Sequence, residues 1–223
     1  MKRMAFGFFG ISYFESYGHW SSKLKDIDFR TRIDNYKEYF FDHFSKRYRI
    51  DIFISTYKHQ FINQLLNIYN PKDYILSDFS PRPVNRPNRS DYKAKNMMVI
   101  KLLDLITNYS NQNNIVYDQV CLSRFDLKWI RKFEDCRNPI DYNKVNNVSI
   151  LEKPNLFDDN WFLFPFTFIN SIKFIFEKKV GWNTHYFLED FRKEIGEPNF
   201  LHSDYKTVGG ITTYKIENKW VKK

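Results

Sequence analysis

Cysteine, glycine and long apolar runs are what this sequence has least of. Its 223 residues hold two cysteines, Cys121 and Cys136, which form neither a Cys-x-x-Cys pair nor a Cys/His cluster. This argues against a disulfide scaffold and a structural zinc site, and both thiols read as reduced, Cys121 as a small core residue. No segment approaches the ~20 apolar residues that a membrane span needs. The opening "MKRMAFGFFGISYF" has the basic start and apolar continuation of a signal peptide. Its apolar run is short, lacks a small-residue cleavage site and leads into a charged amphipathic segment, so it reads as the first core strand of a soluble, cytoplasmic protein. Repeats of solenoid period are missing, as are RNP, KH and zinc-finger patterns. Seven glycines against abundant Asn, Ile, Lys, Phe and Tyr reflect an AT-rich coding sequence and say nothing of chemistry.

What is present argues for a packed protein. Hydrophobic residues make up 43% of the chain, with 23 Phe and 15 Tyr, enough burial to offset the entropy of ordering. The length favours a single domain, residues 1–223. A net charge of +9 attracts polyanions, and nucleic acid, anionic membrane and nucleotide diphosphates all qualify.

The elements follow from periodicity. "MAFGFFGIS" is a buried strand ending near Gly10. From Asp28, the residues Ile33, Tyr36, Phe40, Phe44 and Tyr48 recur at helical spacing. "RIDIFISTYKH" is apolar on both alternations, as in a strand covered on both faces. "HQFINQLLNIYNP" is a short helix stopped by Asn70 and Pro71, and "KDYILSD" a third strand. The basic, proline-rich "FSPRPVNRPNRSDYKAK", residues 79–95, is expected to be a loop and a candidate lid. An amphipathic helix, "NMMVIKLLDLITNYSNQNN", then leads to a fourth strand, "YDQVCLSRFD". Beyond it, "NNVSILEK" and "DDNWFLFP" read as strands, and "FTFINSIKFIFEKKV" and "NTHYFLEDFRKEIGEP" as helices. The alternation predicts an α/β fold with a mainly parallel central sheet.

In such sheets ligands bind beyond the carboxyl ends of the strands. Gly10 to Tyr13, Ser55 to Tyr57, and the pair Arg124 and Asp126, two positions apart on one side of an extended chain, would share that rim.

The combination "FFGISY", "YRIDIFISTYKH", "YDQVCLSRFDLKW" and "DDNWFLFP" resembles small nucleotide-sugar-dependent glycosyltransferases of the GT-A fold, over roughly residues 4–190. The resemblance implies a Rossmann-like three-layer sandwich and transfer of a sugar from a UDP- or GDP-type donor to a hydroxyl of a glycan acceptor. It implies that Gly10, Ile11, Ser12, Tyr13, Thr56 and Tyr57 line the nucleotide pocket; if the basic loop is a lid, Arg82 and Arg86 would close on the diphosphate. It further implies that Asp126, with His202 preferred to His185, holds a divalent cation, Mn2+ or Mg2+, and that Asp159 or Asp158 stands near the acceptor as base. The sequence departs from the family pattern at "SRFD", where Asp-x-Asp is usual. Arg124 could therefore meet the diphosphate itself and make the cation dispensable. On this reading Asp126→Asn removes nucleotide binding and leaves the thermal midpoint nearly unchanged.

The bland alternatives are concrete. Arg124 and Asp126 could be an internal ion pair, the arginines of the loop a solvated surface, Asp158 and Asp159 a turn or cap, and His202 a surface histidine. At the level of function the rivals are a basic nucleic-acid-binding protein, disfavoured because its charge is spread along the chain, and a non-catalytic sugar-binding relative.

Overall fold

The first strand is buried on both faces, and the rest of the molecule is layered around it. The computed structural model describes residues 1–14, 27–78, 90–129, 132–136, 138–147, 157, 160–201 and 214–216. In β1 (Lys2–Gly10), Met4, Ala5, Phe6, Phe8 and Phe9 are all fully buried. Two short strands follow, β2 (Tyr13–Phe14) and β3 (Ile27–Asp28), paired antiparallel. Asp28 then caps a helical run over residues 29–44 by accepting from the backbone N–H of Arg30 at 2.9 Å.

That run is one helix in the sequence pattern and several in the structure. Phe29–Arg32 is a 3-10 turn, Ile33–Tyr36 forms α1, Lys37–Phe41 is wound as a π-turn and Asp42–Phe44 forms α2. The wide turn has a packing reason. It presents two successive rings to the sheet, Phe40 at 4.6 Å and Phe41 at 5.2 Å from Phe6.

The chain continues through β4 (Tyr48–Tyr57), α3 (Ile62–Tyr69) and β5 (Asp73–Ser77). Asn70 ends α3 in the left-handed region, φ 42°, with its N–H returned to the carbonyl of Leu66 at 2.8 Å. Next come α4 (Ser90–Gln112), β6 (Gln119–Arg124) and β7 (Leu127–Trp129), then β8 (Asn146–Asn147) and β9 (Trp161–Pro165). The last elements are α5 (Ile169–Lys178), α6 (Leu188–Glu194), β10 (Asn199–Phe200) and β11 (Tyr214–Ile216), the last paired with β7.

Seven strands form the central sheet in the order β10-β8-β9-β6-β1-β4-β5, and within it β9 alone runs against the others. The expected mainly parallel α/β architecture is therefore observed. The helical run and α3 cover one face with Phe6, Phe8, Tyr36, Phe40 and Leu65. On the other face α4, α5 and α6 pack through Leu102, Ile106, Ile172 and Phe191. Among the described residues, no helix is long and apolar enough to cross a membrane.

Two expectations are corrected. The basic loop is not a loop throughout, because residues 90–95 belong to α4; residues 79–89 lie outside the described residues. Strand "YDQVCLSRFD" stops at Arg124, so Asp126 is not on it. Phe125 turns inward, stacks on Phe8 at 4.6 Å and is 1% exposed, and this pulls the chain into a turn. Of "NNVSILEK", Asn146–Asn147 is strand and residues 148–153 lie outside the described residues.

Gly7 lets α4 approach β1. A Cβ there would sit 2.6 Å from Cδ2 and 2.9 Å from Cγ of Leu102, itself fully buried. Gly7→Ala is expected to cost about 1–3 kcal/mol through overpacking, read as a lower urea midpoint at unchanged slope.

Candidate functional site

The order of strands places a change of winding direction between β1 and β6. From β1 the chain moves outward to β4 and β5, then returns by α4 on the opposite face to β6 on the other side of β1. In doubly wound sheets the carboxyl ends on either side of such a change of direction, here β1 and β6, are where ligands are expected. In register, Phe9 lies beside Ser55 and Arg124, and Gly10 beside Thr56, so three strand ends meet at one level.

At the β1–β4 side the chain leaves the sheet through Gly10 at φ 95°, a conformation in which L side chains are strained. Ile11 follows, half-buried, and the turn brings Ser12, 1% exposed, back over β4. Ser12 Oγ lies 2.9 Å from Thr56 Oγ1 and 2.9 Å from Nε2 of His59. Thr56 donates its hydroxyl to the carbonyl of Gly10 at 2.8 Å. Tyr13 lays its ring against His59 at 5.5 Å and Phe61 at 4.7 Å, with the Arg30 guanidinium 5.7 Å from its centroid. Tyr57 points elsewhere and packs with the α4 side of the core.

On the β6 side the centre is Arg124. The Phe125–Asp126 turn folds the Asp126 carboxylate back onto its guanidinium, with Nε to Oδ1 at 2.8 Å and Nη2 to Oδ2 at 2.5 Å. Nη1 donates to Oδ1 of Asn160 at 2.9 Å, and the backbone N–H of Arg124 donates to the Asn160 carbonyl at 3.1 Å. Tyr36 reaches from α1 and donates to the Arg124 carbonyl, while the Ser123 hydroxyl lies 2.7 Å from the phenol oxygen. Because the carbonyl can only accept, Ser123 donates to Tyr36. Burial pushes the Tyr36 phenol well above its ordinary range, which keeps it a donor. The side chain of Asp126 is 4% exposed and that of Arg124 17%.

The structure thus brings Gly10, Ser12, Tyr13 and Thr56 into one cluster and sets Arg124 and Asp126 at the adjoining strand end. Arg82, Arg86, Asp158, Asp159 and His202 lie outside the described residues. Sequence reading missed His59, Asn160 and Tyr36. His59 follows Thr56 by three residues and begins the α3 approach, a position from which a side chain can fold back on the strand end. Tyr36 was legible only as a core residue of the helix, and nothing in its spacing marks the phenol.

Does this donor set suit a hard divalent cation? Such an ion wants several oxygen ligands. Both oxygens of Asp126 are already bonded to a guanidinium, and no group of three or more Asp, Glu, His or Cys side chains comes together among the described residues. The described residues therefore do not make a cation site.

No protein-family model and no curated protein matches this chain. Solved structures that resemble it include a mutant Drosophila beta-1,4-galactosyltransferase 7 in complex with manganese, UDP-Gal and xylobiose. That likeness covers 97% of this chain and 71% of the other, at 11% identity and a TM-score of 0.46.

Proposed function

We propose that this chain is a glycosyltransferase that binds a UDP- or GDP-sugar at the carboxyl ends of β1 and β6 and transfers the sugar to a hydroxyl of a glycan acceptor. The observation that carries the reading is that two polar groups sit at the carboxyl ends of neighbouring strands, Ser12, Thr56 and His59 on the β1–β4 side and Arg124 with Asp126 at the end of β6, where the winding reverses. The motif resemblance over residues 4–190 supports the transferase class, and a chain of net charge +9 suits an anionic donor.

In this reading the Gly10–Tyr13 turn and Thr56 hold the nucleoside, and Tyr13 offers a ring face to the base. Leaving-group charge develops on the diphosphate as the sugar passes through an oxocarbenium-like state. Arg124, oriented by Asp126 and Asn160, is proposed to turn N–H donors toward that group without reorganising; its charge is largely balanced by Asp126, so net positive charge has to come from elsewhere. Arg82 and Arg86 are proposed to add charge from the loop. Asp159, the sequence neighbour of Asn160, is the proposed base if the reaction inverts, with Asp158 as its substitute.

The test is a thermal-shift panel of UDP, GDP, CMP and their sugars, with and without manganese, at two salt concentrations. A ligand that binds only the folded protein raises its stability by mass action, about 2.7 kcal/mol at a hundredfold excess over Kd. The expected result is stabilisation by one nucleotide-diphosphate family, little altered by manganese. A strict manganese requirement would return Asp126, together with groups such as His202, to the role of ligands. Stabilisation only by oligonucleotides, falling steeply with salt, would replace the reading by a nucleic-acid-binding one. Binding of a nucleotide sugar with neither transfer nor hydrolysis would make the chain a non-catalytic relative.

A further inference from the structure

The hydrogen bonds around His59 have one consistent direction. The backbone N–H of Phe61 donates to Nδ1 of His59 at 3.2 Å, so Nδ1 carries no proton and Nε2 does. Nε2–H then donates to Ser12 Oγ at 2.9 Å. At the far end Thr56 has spent its hydroxyl proton on the Gly10 carbonyl, so its oxygen accepts from Ser12. The relay runs from His59 through Ser12 and Thr56 to Gly10, every donor used once, and it ties the β1 exit turn to the end of β4 across sequence separations of 47 and 44 residues.

We propose that neutral His59 is a positioning residue which, through Ser12, latches the Gly10–Ser12 turn in the form that receives the nucleotide, so that donor binding weakens when His59 is protonated. The inference rests on the proposed donor site. A second proton must go to Nδ1, where it confronts the Phe61 N–H; the ring has to turn away, and the Ser12 bond goes with it. The charged and titratable groups around the ring are Asp28, Arg30 and Tyr13. Asp28 and Arg30 are themselves joined through Nε and Nη2, which leaves little net charge to hold an imidazolium. Lys58, the preceding residue, is paired with Asp78. Burial, the largest cause, and the Arg30 charge lower the His59 pKa from its ordinary 6.5, against the pull of Asp28. Since the folded state prefers the neutral form, the latch is complete above the unfolded pKa and is lost as pH falls through the depressed one.

The probes are UDP-glucose and GDP-mannose, whose diphosphates carry no group titrating in this range. Titration of the wild type downward from about pH 7.5, carried until the His59 15N shifts report protonation, is expected to lose roughly two- to tenfold in affinity across that protonation, the worth of one hydrogen bond. His59→Gln, which can donate but does not titrate, is expected to bind with a flat profile. Equal profiles for both proteins would overturn the proposal. A second readout does not depend on nucleotide: the 15N shifts of His59 are expected to report the Nε2–H tautomer, and the protection of the Phe61 amide relative to its intrinsic exchange rate at each pH is expected to fall on acidification. An Nδ1–H tautomer would overturn the latch whatever the protein binds. The expected tautomer without binding of either probe would support the latch and remove the donor reading alone.

Discussion

Asp51→Ala is expected to lower the thermal midpoint by about 5 °C. Asp51, 2% exposed, lies in β4 beside β1 and accepts from Nη2 of Arg3 at 2.6 Å and from the Tyr117 hydroxyl at 3.1 Å. Removing the buried carboxylate costs about 1–3 kcal/mol: the Tyr117 hydroxyl loses its acceptor, whereas Arg3, whose side chain is 26% exposed, is partly hydrated once unpaired. For a chain of this size each kcal/mol moves the midpoint by about 2–4 °C. Tyr117 deepens the loss: burial, then the Asp51 charge, push its phenol far above the ordinary range, so it must remain a donor and would be orphaned. Replacing both ends with apolar residues, Arg3→Met with Asp51→Leu, is expected to cost less than Asp51→Ala alone. Calorimetry on the three proteins decides, and a double variant as unstable as the single one would mean that lost packing, not unpaired charge, sets the cost.

Asp126→Ala should do two things at once: abolish detectable nucleotide-sugar binding and reduce stability by about 3 kcal/mol. Sequence reasoning led to binding loss at an unchanged midpoint, on the view of Asp126 as an open ligand. The structure changes that expectation, since the carboxylate is the bidentate partner of Arg124 and is almost completely buried. Arg124→Met should lose binding with a smaller cost in stability, because a lone carboxyl can take up a proton whereas a lone guanidinium cannot release one. A double-mutant cycle on urea midpoints is expected to give a coupling of about 0.5–3 kcal/mol. A coupling near zero would show that the pair does not act as a unit, and retained binding in Asp126→Ala would move the donor site away from β6.

Much of the fold was legible because burial imposes its period on sequence. β1 and β4, covered on both faces, read as unbroken apolar strands, and the spacing of Tyr36, Phe40 and Phe44 marked a helix. The π-turn was invisible, since it depends on Phe40 and Phe41 both reaching Phe6, a contact no helical wheel contains. The end of the fourth strand was placed two residues too far. "SRFD" continues the alternation of the strand, and only the docking of Phe125 on Phe8 turns the chain before Asp126.

The sequence by itself determined the α/β class, the order of its main strands and helices, and the assembly of Gly10, Ser12, Thr56 and Arg124 at the carboxyl ends, because strand direction and the position of a residue along its strand are local properties. Which side chains bond to one another was decided by tertiary structure alone. The Ser12–His59 and Tyr36–Ser123 contacts join residues 47 and 87 positions apart. Their geometry depends on strand register and on the tilt of a helix over the sheet, and a shift of one residue in either would turn every one of these groups to a different face.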